Sequence, residues 1–84
     1  MYRVILTTQA GRAYKKLPEQ AALLVAEAID SLVRDPFLNS LDIKKLKPPL
    51  YGYRLRIRDW RVLYTVEDNI IDIHTIKNRK DVYK

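Results

Sequence analysis

"YGYRLRIRDWRVLY", residues 51–64, alternates apolar side chains with arginines before giving way to an aromatic-rich run. In a β-strand successive side chains point to opposite faces, so Tyr53, Leu55 and Ile57 share one side while Arg54 and Arg56 share the other. Asp59 then marks a tight turn, and 60–67 is predicted as a second strand. "EDN", residues 67–69, is a second turn, and "IIDIHTIK", residues 70–77, continues as a third strand. Turns this short make neighbouring strands antiparallel, so 51–77 is predicted as a three-stranded meander with one apolar face and one arginine face.

The apolar face needs a cover, and the preceding half of the chain supplies it. Residues 2–7, "YRVILT", read as a strand. Thr7 or Thr8 can cap a short helix reaching about Leu17, with Ala10, Ala13, Tyr14 and Leu17 on one side. Pro18 suits the start of a second helix running to about Arg34, striped by Ala22, Val25, Ala28, Ile29, Leu32 and Val33. Asp35-Pro36 ends it, because the residue before proline is pushed out of the α region. "FLNSLDIKKLKPP" reads as a connecting loop. The expectation is a single α+β domain over residues 1–84, ordered β-α-α-β-β-β. Its two-helix hairpin packs on one face of a small antiparallel-meander sheet.

Composition bounds the rest. Eighty-four residues bury roughly 60–65 % of the unfolded surface, enough for one small core. Without cysteine and with the single histidine His74, neither a thiolate site nor a zinc centre is expected, and no metal or cofactor is assigned. No apolar run approaches the roughly 18–20 residues of a membrane span. "MYRVILTTQ" turns polar too soon for a signal peptide, so the expected location is the cytoplasm, with no membrane partner.

The net charge is +6, and all of it lies in residues 44–64, where seven basic side chains face Asp59 alone. A field concentrated in this way favours a polyanion, above all nucleic acid, over a merely solvated basic face. Guanidinium forks match phosphate oxygens and remain charged in any setting. Arg54 and Arg56, about 7 Å apart along a strand, can hold two phosphates or clamp one, and Arg61 on the next strand reaches the same patch. Lys44, Lys45 and Lys47 suit a backbone grip on RNA or an ordinary solvated loop. His74 reads as a structural histidine, and Trp60 and Tyr64 as core or sheet-face packing rather than base stacking. Tyr83 is either a proton-transfer group or a surface tyrosine. By themselves these residues indicate a basic α+β domain that binds phosphates.

"KKLKPPLYGYRLRIRDWRVLYTV", residues 44–66, followed by "IIDIHTIKNRKDVY", residues 70–83, resembles the RelE toxins of the RelE/ParE superfamily. The alanine-rich helix closing at "KKLP" and the second helix ending at "LVRDP" extend the likeness over nearly the whole chain. The resemblance implies a microbial-ribonuclease-like fold and a type II toxin that enters the ribosomal A site. Such a toxin cleaves mRNA by 2′-hydroxyl attack without metal. It also implies an acidic antitoxin partner and contact with operator DNA only through the toxin–antitoxin complex. Carried over by position, the catalytic set is Arg54, Arg56, Arg61, Arg79 and Tyr83. Lys44, Lys45, Lys47, Arg58, Lys77 and Lys80 are assigned to RNA or ribosome binding.

Some members carry lysine where this chain has Arg54 and Arg56, so both are assigned charge stabilisation rather than base catalysis. Asn78 stands where many relatives have histidine, which shifts proton transfer toward Tyr83 and Lys77. The chain ends at Lys84 without the C-terminal helix of several members, so control by displacing such a helix is not expected. Two other readings share the scaffold: a ParE-like inhibitor of DNA gyrase, and an antitoxin-binding module whose nuclease activity has decayed.

Overall fold

The computed structural model describes residues 2–37 and 41–82, with the side chains of residues 81 and 82 excepted. The chain runs β1 (Arg3–Leu6), α1 (Thr8–Lys15), α2 (Glu19–Arg34), β2 (Asp42–Lys45), β3 (Tyr53–Ile57), β4 (Trp60–Glu67), β5 (Ile70–Asn78) and α3 (Arg79–Val82). Thr7 caps α1, its hydroxyl accepting the Ala10 N–H at 3.2 Å. Pro18 immediately precedes α2, which ends where Asp35 turns extended at φ −156°, ψ 106°. Ala21, Val25, Ala28 and Leu32 form its buried stripe. The stripe thus begins at Ala21 rather than at the expected Ala22, which is half-buried.

Five strands form one sheet in the order β1-β5-β4-β3-β2. The meander of β3, β4 and β5 is antiparallel, with turns at Arg58-Asp59 and Asp68-Asn69, as the sequence predicts. Three features depart from expectation. The 42–45 segment, read as loop, is an antiparallel edge strand: Asp42 pairs with Arg56 and Lys44 with Arg54. With only four residues and one apolar side chain it has no visible period of its own. β1 pairs with β5 in parallel, Val4 beside Ile71, so the sheet is mixed rather than wholly antiparallel. That pairing joins segments more than sixty residues apart and leaves no local trace. Residues 79–82, beyond the last predicted strand, form a single helical turn.

The core lies between the helices and one side of the sheet. Val25 and Leu32 from α2 meet Leu55, Val62, Tyr64, Ile71, Ile73 and Ile76, with Ala10 of α1. Tyr64 is buried, yet its hydroxyl donates to the Pro36 carbonyl at 2.7 Å, which satisfies it. A register shift at Leu63/Tyr64 leaves His74 as an extra residue on β5. The shift explains why the buried isoleucines run 71, 73, 76 instead of every second residue. Among the described residues, no helix is long and apolar enough to cross a membrane.

Candidate functional site

Strand register decides which basic side chains meet. Because directly paired residues share a face, Asp42, Arg56, Arg61 and Lys77 form one row across β2, β3, β4 and β5. Lys44, Arg54, Leu63 and Thr75 form the next. Both rows lie opposite the helices, on the face the sequence assigned to arginine. Adjacent strands are about 4.8 Å apart, so Arg56, Arg61 and Lys77 stand within one another's field.

Their environments differ. Arg61 is only 4 % exposed. Its Nη1 donates to the Arg58 carbonyl at 2.8 Å and the Trp60 carbonyl at 3.0 Å, which clamps the guanidinium against the β3–β4 turn. Its Nε is buried without a hydrogen-bond partner among the described residues, as is the Nε of the half-buried Arg54. A buried donor left unpaired costs about 1–3 kcal/mol, so both atoms are held at a cost to folding. Arg56 is exposed and holds Asp42 through Nε at 2.7 Å. A pair this open contributes about 0–1 kcal/mol and exchanges readily.

Arg58 does not extend the row. It leaves the strand at φ 54° and forms the β3–β4 turn, so the spacing of three arginines in sequence becomes two on the face and one at its corner. Lys44 points to the open face; Lys45, paired with Tyr53, points to the helix side; Lys47 lies exposed in the following loop. Lys77 is exposed beside Arg61 on β5. Arg79 opens α3, its N–H donating to the Asp59 carbonyl at 2.6 Å. With Asp59, Asn78 and Lys80 it lines an open hollow of about 460 Å³ at the end of the sheet. Tyr83 lies outside the described residues.

Two members of the face were not anticipated. Asp42 became visible only with the β2–β3 register, since nothing in the sequence links it to Arg56. His74, expected inside a strand, is an exposed bulge residue whose Nε2 lies 2.8 Å from the Thr65 hydroxyl. The three-residue spacing between Ile73 and Ile76 was the available clue to the bulge. Trp60 is half-buried against the core, and Tyr64 is fully in it, where burial pushes its hydroxyl pKa well above the ordinary tyrosine value. Among the described residues, no three His, Cys, Asp or Glu side chains converge as a metal site. The chemistry available to this face is anion binding and charge stabilisation.

Comparison with known proteins gives the same direction. The family model described as ParE toxin of type II toxin–antitoxin system, parDE, matches residues 4–83. A relative from Methanocaldococcus jannaschii that carries the name toxin RelE1 is 38% identical over 73 residues, 83% of this chain and 81% of its own. The archaeal RelE–RelB complex from Pyrococcus horikoshii superposes with a TM-score of 0.80 at 34% identity, covering 93% of this chain and 94% of that one. The toxin–antitoxin complex RelBE2 from Mycobacterium tuberculosis does so at 0.78 and 33%, covering 93% and 98%.

Proposed function

The chain belongs to the RelE/ParE superfamily of type II toxins and is a RelE-type toxin, and on that premise we propose that it is an endoribonuclease cleaving mRNA in the ribosomal A site. The observation that carries this reading is the row of Arg56, Arg61 and Lys77, with a buried, unpartnered Nε on Arg61. Like charges set directly opposite on neighbouring strands destabilise a sheet. A phosphate placed among them offsets that penalty with short, charge-assisted hydrogen bonds.

The reaction is an internal transesterification. The 2′-oxygen of one nucleotide attacks the adjacent phosphorus, the O2′–P bond forms and the P–O5′ bond breaks. A base takes the 2′ proton and an acid supplies one to the departing 5′-oxygen, leaving a 2′,3′-cyclic phosphate and a 5′-hydroxyl. No electron transfer occurs and no metal is required. Arg61 and Arg54 stabilise charge on the non-bridging oxygens, and Arg56 joins them once Asp42 is exchanged for phosphate. Arg79 approaches from the end of the sheet. Tyr83 orients or activates the nucleophile, and Lys77 is the nearest proton carrier in the row.

Acid–base equipment this sparse fits a site whose geometry is completed by the ribosome, since orientation alone can contribute several kcal/mol to a barrier. Lys44, Lys45, Lys47, Arg58 and Lys80 then hold RNA or ribosomal backbone. A cognate acidic antitoxin neutralises the toxin in the cytoplasm, as the toxin–antitoxin complexes among the similar structures suggest, and any operator DNA is met through that complex. The ParE description of the matching family model supports a second reading, inhibition of DNA gyrase without RNA cleavage.

The test is primer extension on mRNA in a translating extract, with the protein, Arg61→Ala, Tyr83→Phe, and a ribosome-free control. New ends at codon-phased positions, dependent on ribosomes and reduced roughly 10²–10³-fold in Arg61→Ala, are expected. A urea midpoint for each variant separates lost chemistry from lost folding. Intact mRNA with undisturbed translation sinks the nuclease reading and directs the next assay to gyrase supercoiling.

A further inference from the structure

The loop joining β2 to β3 carries apolar surface into solvent. Tyr51 is 81% exposed and Leu50 63%, and among the described residues no large apolar side chain is more exposed than Tyr51. A hairpin tip accepts polar residues freely, so folding gives no reason for a tyrosine here. The loop is nevertheless pinned at its base. Leu46 N–H donates to the Gly52 carbonyl at 2.9 Å, and Leu50 N–H to the Lys47 carbonyl at 3.0 Å. Gly52 sits at φ 104° so close to β4 that a Cβ would lie 2.4 Å from the Tyr64 carbonyl oxygen. Only glycine permits that approach, and Tyr51 leaves the sheet from the residue before it.

The tip follows directly on the two strands that carry the phosphate-binding face. Going along β3 from the turn, Arg56 stands beside Arg61, Arg54 stands opposite Lys44, and the Leu46–Gly52 hydrogen bond closes the ladder. Each step of two residues is roughly 7 Å, close to the separation of successive phosphates in an extended strand. Lys44 on the same face and Lys47 in the loop are exposed, and residues 43–58 contain no acidic side chain. A strand of RNA gripped at Arg61 and Arg54 that runs on past the end of β3 would meet an exposed aromatic ring close in sequence to several cations. That pairing of basic track and aromatic platform is how proteins hold single strands without reading their sequence.

We infer that Tyr51 is a stacking platform for an unpaired base of the RNA flanking the reacting phosphate, with Lys47 holding the neighbouring backbone. The inference rests on the phosphate-binding reading of the arginine row. It is tested by fluorescence anisotropy of a labelled twelve-nucleotide single-stranded RNA with the purified chain, Tyr51→Ala, Tyr51→Phe, Lys47→Ala and Arg54→Ala, at several salt concentrations. Tyr51→Ala should weaken binding about 5- to 100-fold with an unchanged salt slope, and Tyr51→Phe should bind as the parent does. Lys47→Ala should flatten the slope by about one. An oligonucleotide with abasic positions should bind the parent chain as weakly as intact RNA binds Tyr51→Ala.

If Arg54→Ala loses affinity while Tyr51→Ala does not, the row stands and the platform is overturned. If the parent chain itself fails to bind, the phosphate-binding reading falls and the platform with it. A Tyr51→Ala chain that binds RNA normally and loses only antitoxin affinity assigns the tip to a protein contact instead, which also overturns the inference.

Discussion

Leu55 and its neighbours Arg54 and Arg56 sit one peptide apart and belong to opposite halves of the molecule. On the helix side, Leu55 touches Val62 and the α2 stripe and is wholly excluded from water. On the open side, Arg56 faces Arg61, and Arg61 faces Lys77, an arrangement that works against folding. One face is optimised for stability, and the other carries a row of like charges that the exposed Asp42–Arg56 pair offsets only in part. A sheet side loaded against folding in this way is where function is to be sought.

That contrast makes measurable demands. Leu55→Ala should lower unfolding stability by about 2–5 kcal/mol, read from urea denaturation, because it leaves a cavity at the centre of the core. An effect below 1 kcal/mol would mean that the face is not packed as described. Arg56→Ala, on the adjacent residue, should change stability by less than about 1 kcal/mol in either direction, since it removes both an exposed ion pair and a like-charge contact. The same variant should reduce mRNA cleavage in the extract by roughly tenfold or more. A large stability loss with undiminished cleavage would reverse the assignment of the two faces.

A further effect, on the helix side, concerns Tyr64, whose hydroxyl is buried in the core and bonded to the Pro36 carbonyl. Its pKa is raised in the folded protein, chiefly by burial and then by nearby Tyr53 and Asp35. In the unfolded chain it loses its proton near pH 10. The contribution is therefore complete below about pH 10 and is lost as pH climbs from there toward the folded value. Tyr64→Phe should cost about 1 kcal/mol at neutral pH through the unpaired carbonyl. It should also make the alkaline loss of stability shallower; parallel pH curves for the two proteins would contradict the buried hydroxyl.

How much of this was legible depended on range. The meander could be read because its information is local. Tyr53, Leu55 and Ile57 alternate with arginine, Asp59 and "EDN" interrupt the pattern, and the strand limits followed within two residues. The helices were legible for the same reason, through Thr7, Pro18 and the 3.6-residue recurrence of apolar side chains. The 42–45 strand was missed because a four-residue edge strand has too few alternations to show a period, and its proof is a partner fourteen residues further on. His74 lies in the strand as read, but the bulge at it was missed because a bulge shifts the following residues without altering composition.

The candidate site divides along the same line. Arginine at alternate positions was enough to propose a chemistry, because the guanidinium is a phosphate-shaped cation wherever it is put. Which arginines act together was not readable from spacing. Arg58 keeps the two-residue interval and still leaves the row, since the turn takes it to positive φ. Arg61 looks as exposed as any other cation in the sequence, and becomes buried and clamped only because the β3–β4 turn folds its carbonyls over it. The local alternation of side chains by itself determined the strands and their two faces, with arginine on one of them. Only tertiary structure decided the parallel seating of β1 on β5 and the row from Asp42 to Lys77, because each depends on pairing between segments that carry no mark of one another.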